Sequence, residues 1–69
     1  MINIQLIEQL RKQHHYSQET IAKMMGYDSH VAYSRKINGI RNFTIEDVIK
    51  LCEIYQLEPN DLIIIKHNN

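Results

Sequence analysis

The chain has 69 residues, with eight basic and eight acidic side chains and a formal net charge of zero. A chain this short forms at most one domain, so we expect residues 1–69 to fold as a single unit around a small core. Its longest apolar run, residues 62–65, is far shorter than the ~18 residues that a membrane span needs. No signal-peptide pattern opens the chain and the single Cys52 has no disulfide partner, so we expect a cytoplasmic protein.

The charges are unevenly distributed along the chain. Six basic and two acidic residues lie between positions 11 and 41, whereas two basic and five acidic residues lie from position 42 onward. This asymmetry predicts one basic and one acidic face.

The first predicted helix covers about residues 3–13. Leu6, Ile7 and Leu10 fall on one side of it, which is the pattern of an amphipathic helix. Apolar residues continue at helical spacing through the rest of the chain, and strand signals are weak. The sequence therefore predicts an all-α fold.

The second predicted helix begins after Ser17, whose hydroxyl can accept a hydrogen bond from a free amide of the first turn. Tyr16 and Ile21 flank this cap at the spacing of a hydrophobic staple. The helix should end at Gly26, because glycine readily adopts the left-handed conformation that follows many helices.

The third predicted helix has two possible caps, Asp28 and Ser29. If Ser29 is the cap, Tyr33 and Ile37 share the buried face, and this alternative is slightly favoured because it buries more apolar area. If Asp28 is the cap, Tyr33 is a candidate for the exposed face. The Asn-Gly pair at positions 38–39 ends the helix in either case.

The fourth predicted helix is capped by Thr44, with Asp47 completing a capping box. Pro59 then suits the first position of a short fifth helix over about residues 59–65. These segments predict a compact domain of five helices. The fourth helix is expected to bury a broad stripe formed by Ile45, Val48, Ile49, Cys52 and Tyr55.

The second and third helices are separated by only a few residues, so they must cross at a steep angle. The small Ala22 permits a close approach, and the pair should form a rigid bracket. An α-helix fits the major groove of DNA, while Gln18 at the start of the second helix would meet the phosphate backbone.

The sequence at this point resembles the Cro and phage-repressor type of helix-turn-helix proteins, also called Xre-like or lambda-repressor-like. The resemblance rests on "SQETIAKMMGY" from position 17, on "NG" at positions 38–39 and on "FTIEDVIKLCEIYQLEPNDLI" at positions 43–63. It places the helix-turn-helix at about residues 18–38. The interval between Gly26 and Asn38 is one residue longer than the commonest family pattern, which affects the face that the recognition helix presents.

The resemblance implies two sets of DNA-contacting residues, one for the bases and one for the sugar-phosphate backbone. The candidates for base reading are Ser29, His30, Tyr33 and Ser34. The candidates for backbone contact are Ser17, Gln18, Arg35, Lys36, Asn38, Arg41 and Asn42.

The expected function is a sequence-specific transcriptional regulator, a repressor of the phage or prophage type that binds double-stranded DNA. Ile63, Ile64 and Ile65 cannot all face one side of a helix, so we expect part of this segment to form a homodimer interface on a pseudo-palindromic operator. The sequence shows no catalytic constellation, and neither a cofactor nor a small-molecule substrate is expected.

The histidines do not predict a metal site, because adjacent helical residues such as His14 and His15 point about 100° apart. A second function remains open, because the zero net charge also suits a protein-interaction module. Such a module, for example the antitoxin of a toxin pair, would use the helical scaffold and the Ile-rich tail.

Overall fold

The structure is a computed structural model, and it describes residues 1–64. In chain order it contains α1 (Ile4–Gln13), α2 (Gln18–Met24), α3 (His30–Ile37), α4 (Ile45–Tyr55) and a 3₁₀ helix (Pro59–Leu62). The all-α prediction is confirmed for this part of the chain. None of these helices is long and apolar enough to cross a membrane.

Side chains cap three of the four α-helices. The Ser17 hydroxyl accepts a hydrogen bond from the Thr20 amide at 3.0 Å, and the Thr44 hydroxyl accepts one from the Asp47 amide at 3.1 Å. Asn3 caps α1 in the same way. The predicted caps of α2 and α4 are thus confirmed. Ser29 occupies the cap position of α3 but makes no capping hydrogen bond with its side chain.

Glycines in the left-handed conformation end both helices of the bracket. Gly26 has φ +81° and Gly39 has φ +78°. After α2, the amide of Tyr27 donates to the carbonyl of Ala22 at 2.9 Å. After α3, the amide of Ile40 donates to the carbonyl of Arg35 at 2.8 Å. These are the bonds of the Schellman motif, which closes a helix through a left-handed residue.

The core lies where the helices converge. The largest fully buried side chain belongs to Tyr33 of α3. Half-buried apolar residues from α1, α3, α4, the connecting segments and the N-terminus surround the core. Its buried apolar members are Ile7, Ile21, Ala22, Met25, Tyr33, Leu51, Tyr55 and Leu62.

A polar network inside the fold connects α1 to α3. The hydroxyl of Tyr33 donates to the Glu8 carboxylate at 3.0 Å, and Arg11 pairs with the same carboxylate at 2.7 Å. Arg11 also donates to the backbone carbonyl of Tyr16 at 2.8 Å. Burial by itself raises the pKa of Glu8, but the hydrogen bonds from Arg11 and Tyr33 lower it overall.

Two predictions about the second half of the chain are wrong. The fifth element is a 3₁₀ helix that ends at Leu62 rather than a helix to residue 65, because Ile63 is extended and forms an antiparallel bridge with Ile2. In α4, Ile45 is 80% exposed and Ile49 is 51% exposed. The other members of the predicted stripe are confirmed, since Tyr55 is buried and Val48 and Cys52 pack against the core. The buried face of α4 is thus shifted away from Ile45 and Ile49 and also contains Asp47 and Leu51.

Replacing Tyr33 with Phe tests how strongly the α1–α3 network stabilises the domain. The ring still fills the core, but the hydrogen bond to the charged Glu8 is lost, so we expect the free energy of unfolding to fall by about 1.5–3 kcal/mol. Urea denaturation followed by circular dichroism measures this change. Tyr16→Phe is the matched control, since Tyr16 bonds to Arg11 through its backbone carbonyl and not through its hydroxyl. An equal loss in both variants would contradict the role of the network.

Candidate nucleic-acid interface

Residues of both α2 and α3 are buried in the core and anchor the bracket that the two helices form. Ala22 of α2 is 1% exposed, and α2 and α3 pack against each other. Tyr33 is fully buried, and Ile37, one turn later, packs against the core. These contacts fix the rotation of α3 about its own axis, so only the opposite face of α3 is open to solvent.

The outer face of α3 is formed by Val31 and Arg35. At about 100° per residue they lie about 160–200° around the helix from Tyr33. Val31 is 41% exposed although it is apolar, and Arg35 is exposed. A partner that approaches α3 from solvent therefore meets this pair first.

The predicted base-reading residues are distributed over three environments. Ser29 and His30 are exposed at the start of α3. Ser34 is half-buried on a flank, and its hydroxyl accepts a hydrogen bond from the side-chain amide of Asn38 at 3.2 Å. Tyr33 is inside the core, so its prediction as a base reader is wrong. The cap at Ser29 sends this side chain inward, as the favoured alternative required.

Most of the predicted backbone-contacting residues are accessible. Ser17 is exposed, although its hydroxyl already caps α2, and Gln18 is half-buried at the first position of that helix. Arg35 and Arg41 both line a hollow of about 440 Å³ between the turn, α3 and the loop that follows α3. Asn38 and Asn42 are also exposed. The structure thus brings two unpaired guanidinium groups to one side of the bracket within the described residues.

Lys36 does not belong to this accessible set. Its ammonium forms a salt bridge with Asp47, and its side chain is 13% exposed. The ammonium also lies 4.8 Å from the ring centroid of Tyr27. The prediction that Lys36 contacts phosphate is therefore wrong in this structure, because its charge is already paired inside the fold.

Asp47 connects three parts of the bracket and its support. One carboxylate oxygen accepts a hydrogen bond from the Tyr27 hydroxyl at 2.6 Å, and the other accepts the Thr44 amide at 2.8 Å in addition to Lys36. Burial raises the pKa of Asp47, but the bonds from Lys36, Thr44 and Tyr27 outweigh it and lower the pKa overall. The Asp47 side chain thus caps α4 and also links α4 to the turn between α2 and α3, through Tyr27, and to α3, through Lys36.

The described residues contain neither a cluster of metal ligands nor an activated cysteine. Residues 1–64 contain no group of three or more histidine, cysteine or acidic side chains that could hold a metal ion. Cys52 is half-buried, and burial together with Glu58 and Asp61 raises the pKa of its thiol. A thiol with a raised pKa is a poor nucleophile at neutral pH.

Sequence reasoning missed Val31 as a surface residue of the bracket and missed the second role of Asp47. The first could have been found, because a buried pair at Tyr33 and Ile37 requires the residues two positions before each of them to face outward. The second had no local signal. Asp47 completes a capping box in the sequence, whereas its contacts with Tyr27 and Lys36 join residues that are distant along the chain.

Replacing Asp47 with Asn tests this connection through its pH dependence. The pKa of Asp47 in the folded state lies below its ordinary value of 3.8, so the stabilisation is complete above about pH 5 and is lost as the pH falls through the folded-state pKa. At pH 7 we expect the free energy of unfolding to fall by about 3–5 kcal/mol, because the variant leaves Lys36 unpaired. Urea titrations between pH 2 and pH 7 should show the difference from wild type shrinking in acid.

Two further variants make that experiment specific. Asp28→Asn removes an exposed carboxylate and should change neither the stability nor its pH profile by a comparable amount. Combining Asp47→Asn with Lys36→Met removes both charges and should recover part of the loss. A constant difference between Asp47→Asn and wild type down to pH 2 would show that the pairing is not ionic.

Comparison with known proteins agrees with this geometry. The family model Helix-turn-helix (HTH_3) matches residues 7–62, which is most of the chain and includes α2, α3 and α4 in full. No curated protein and no solved structure matches the chain. The chain belongs to the helix-turn-helix family of the Cro and phage-repressor type, and it is a DNA-binding transcription regulator.

Proposed function

We propose that the protein is a sequence-specific repressor of the phage or prophage type, which binds a pseudo-palindromic operator as a homodimer and acts by occluding it. It does so in the cytoplasm, without catalysing a reaction and without a cofactor or a small-molecule ligand. The observation that carries the proposal is the orientation of α3 about its own axis. Tyr33 anchors one face of this helix in the core, and Arg35 stands on the opposite face, open to solvent.

In the proposed complex, α3 lies in the major groove and the residues around it hold the sugar-phosphate backbone. Gln18 at the start of α2 would donate its side-chain amide to one phosphate, and Arg41 in the loop after α3 would pair with another. Contacts of this kind set the position of the protein on the duplex without reading its sequence. Ser29, His30 and Arg35 would face the base edges.

The proposed dimer uses the apolar surface near the chain ends. Ile63 is 41% exposed and Ile64 is 42% exposed. Ile64 also lines a hollow of about 780 Å³ together with Met1, Ile2 and Phe43. Ile65, the third predicted interface residue, lies outside the described residues. A two-fold axis through this surface would present two recognition helices to half-sites about one turn of DNA apart.

A second candidate function is supported by α4. Ile45 and Ile49 lie one helical turn apart, both largely exposed, and acidic Glu46 and Glu53 occupy the same helix. A row of exposed apolar residues beside acidic ones suits a protein partner, as in the antitoxin of a toxin pair. Salt dependence separates the two functions, because phosphate contacts weaken steeply with salt and an apolar interface does not.

Selection from random duplexes, followed by a salt titration of the enriched sequence, tests the repressor proposal. We expect enrichment of a palindrome whose half-sites are about one helical turn apart. Arg41→Gln should weaken binding to operator and to random DNA alike and reduce the slope of log K against log salt by about 0.9. Gln18→Ala should also weaken both, whereas Gln9→Ala on the exposed side of α1 should change neither.

These measurements also identify the alternatives. If no sequence is enriched even at low salt, the repressor proposal is wrong and the interaction module becomes the better account. If a sequence is enriched but Arg41→Gln leaves the salt slope unchanged, DNA binding stands and the assignment of Arg41 is wrong.

Ile64→Asp tests the dimer surface. A carboxylate in an apolar interface loses its water without gaining a partner, so we expect sedimentation to show a monomer at concentrations where the wild type is a dimer. Operator binding should weaken at the same time. Ile45→Asp is the matched variant, because it places the same charge on a more exposed isoleucine of α4 and should remain dimeric. A dimer in the first variant and a monomer in the second would move the interface to α4.

A further inference from the structure

The outermost positions of α3 combine one apolar and one cationic side chain. Val31 and Arg35 lie one helical turn apart on the side of the helix opposite Tyr33. Among the polar side chains that sequence reasoning favoured, Ser29 precedes the helix and His30 is its exposed first residue. Ser34 lies on a flank, and its hydroxyl is already bonded to the side-chain amide of Asn38. The deepest position in a groove would therefore be taken by Val31 and Arg35.

The side chain of Arg35 is available for a partner. Its guanidinium forms no salt bridge within residues 1–64, in contrast to Arg11 and Lys36, which are both paired. Its backbone carbonyl accepts the amides of Ile40 at 2.8 Å and Arg41 at 3.2 Å, which orders the end of α3 without using the side chain. A substitution at Arg35 can thus change the guanidinium and leave the loop intact.

The chemistry of these two side chains selects particular base edges in the major groove. Val31 has no hydrogen-bonding group, and the only methyl group that the four ordinary bases present there is the 5-methyl of thymine. A guanidinium matches the two acceptors of guanine, O6 and N7, with two parallel hydrogen bonds. A polar residue in place of Val31 would lose the apolar contact with thymine, and an apolar residue in place of Arg35 would lose the hydrogen bonds to guanine.

Resting on the function proposed above, we propose that Val31 and Arg35 are the specificity-determining residues of α3. Val31 packs against a thymine methyl group, and Arg35 donates two hydrogen bonds to a guanine. Four residues of helix span about 6 Å, which corresponds to about two base-pair steps. Each half-site of the operator should therefore contain a thymine and a guanine at about that separation.

The thymine contact is tested on the enriched operator by replacing that thymine with uracil, which removes only the methyl group. We expect wild-type affinity to fall about fourfold, the effect of leaving one methyl group unburied. Val31→Ala retains only one methyl group at this position and should discriminate less between the thymine and uracil duplexes than the wild type does. Ile49→Ala, which shortens an exposed apolar side chain on α4, should discriminate between them as the wild type does.

The guanine contact is tested with 7-deazaguanine, which lacks the N7 acceptor, and with Arg35→Lys. The lysine keeps the positive charge but lacks the planar fork that presents two parallel N–H groups, so the preference for guanine should fall about 5- to 100-fold while the salt slope stays unchanged. If Arg35 contacts only phosphate, Arg35→Lys will keep the preference. Thermal unfolding of both variants should match the wild type, since both side chains are exposed.

The outcomes separate this inference from the function on which it rests. An operator that is enriched but insensitive to both base replacements overturns the assignment of Val31 and Arg35 and leaves the repressor proposal standing. Discrimination between thymine and uracil that is as strong in Val31→Ala as in the wild type overturns the first contact alone. Failure to enrich any sequence removes both the function and this inference.

Discussion

The side chain of Tyr33 is fully buried beneath α3, and its hydroxyl reaches Glu8 of α1 at 3.0 Å. A helix has little freedom to rotate once a side chain of this size is enclosed, because the core is close-packed and a turn of the helix would expose the ring. The rotation of α3 decides which residues face solvent. The surface that Val31 and Arg35 present therefore depends on a contact on the other side of the helix.

Salt bridges within the fold reduce the number of basic side chains that are free to contact a partner. Of the six bases between positions 11 and 41, Arg11 is paired with Glu8 and Lys36 with Asp47. The Arg11–Glu8 pair lies within α1, and the Lys36–Asp47 pair joins α3 to α4. Neither pair presents a free positive charge to a polyanion. Arg35 and Arg41 remain exposed and line the same hollow. Lys12 and Lys23 are exposed as well. A chain with zero net charge can still bind DNA when some of its exposed cations, here Arg35 and Arg41, are grouped on one side.

The elements that sequence reasoning predicted well are those defined by short-range hydrogen bonds. Ser17 and Thr44 cap their helices through amides three residues later, and Gly26 ends α2 through a left-handed turn. Such signals are contained in a few consecutive residues. The predicted length of the fifth helix was wrong because its end depends on a long-range contact. The bridge between Ile2 and Ile63 joins residues from the two ends of the described chain, and no local signal announces it.

The sequence by itself determined the helical class, the helix-turn-helix bracket and the family, because spacing and caps are properties of neighbouring residues. Only the tertiary structure decided which face of α3 is open, which lysine is paired and which isoleucines of α4 are exposed. Each of these depends on residues far apart in sequence meeting in one place, as Lys36 and Tyr27 do at Asp47. Periodicity places side chains on a common face of a helix, but packing against the other helices chooses the face that is buried.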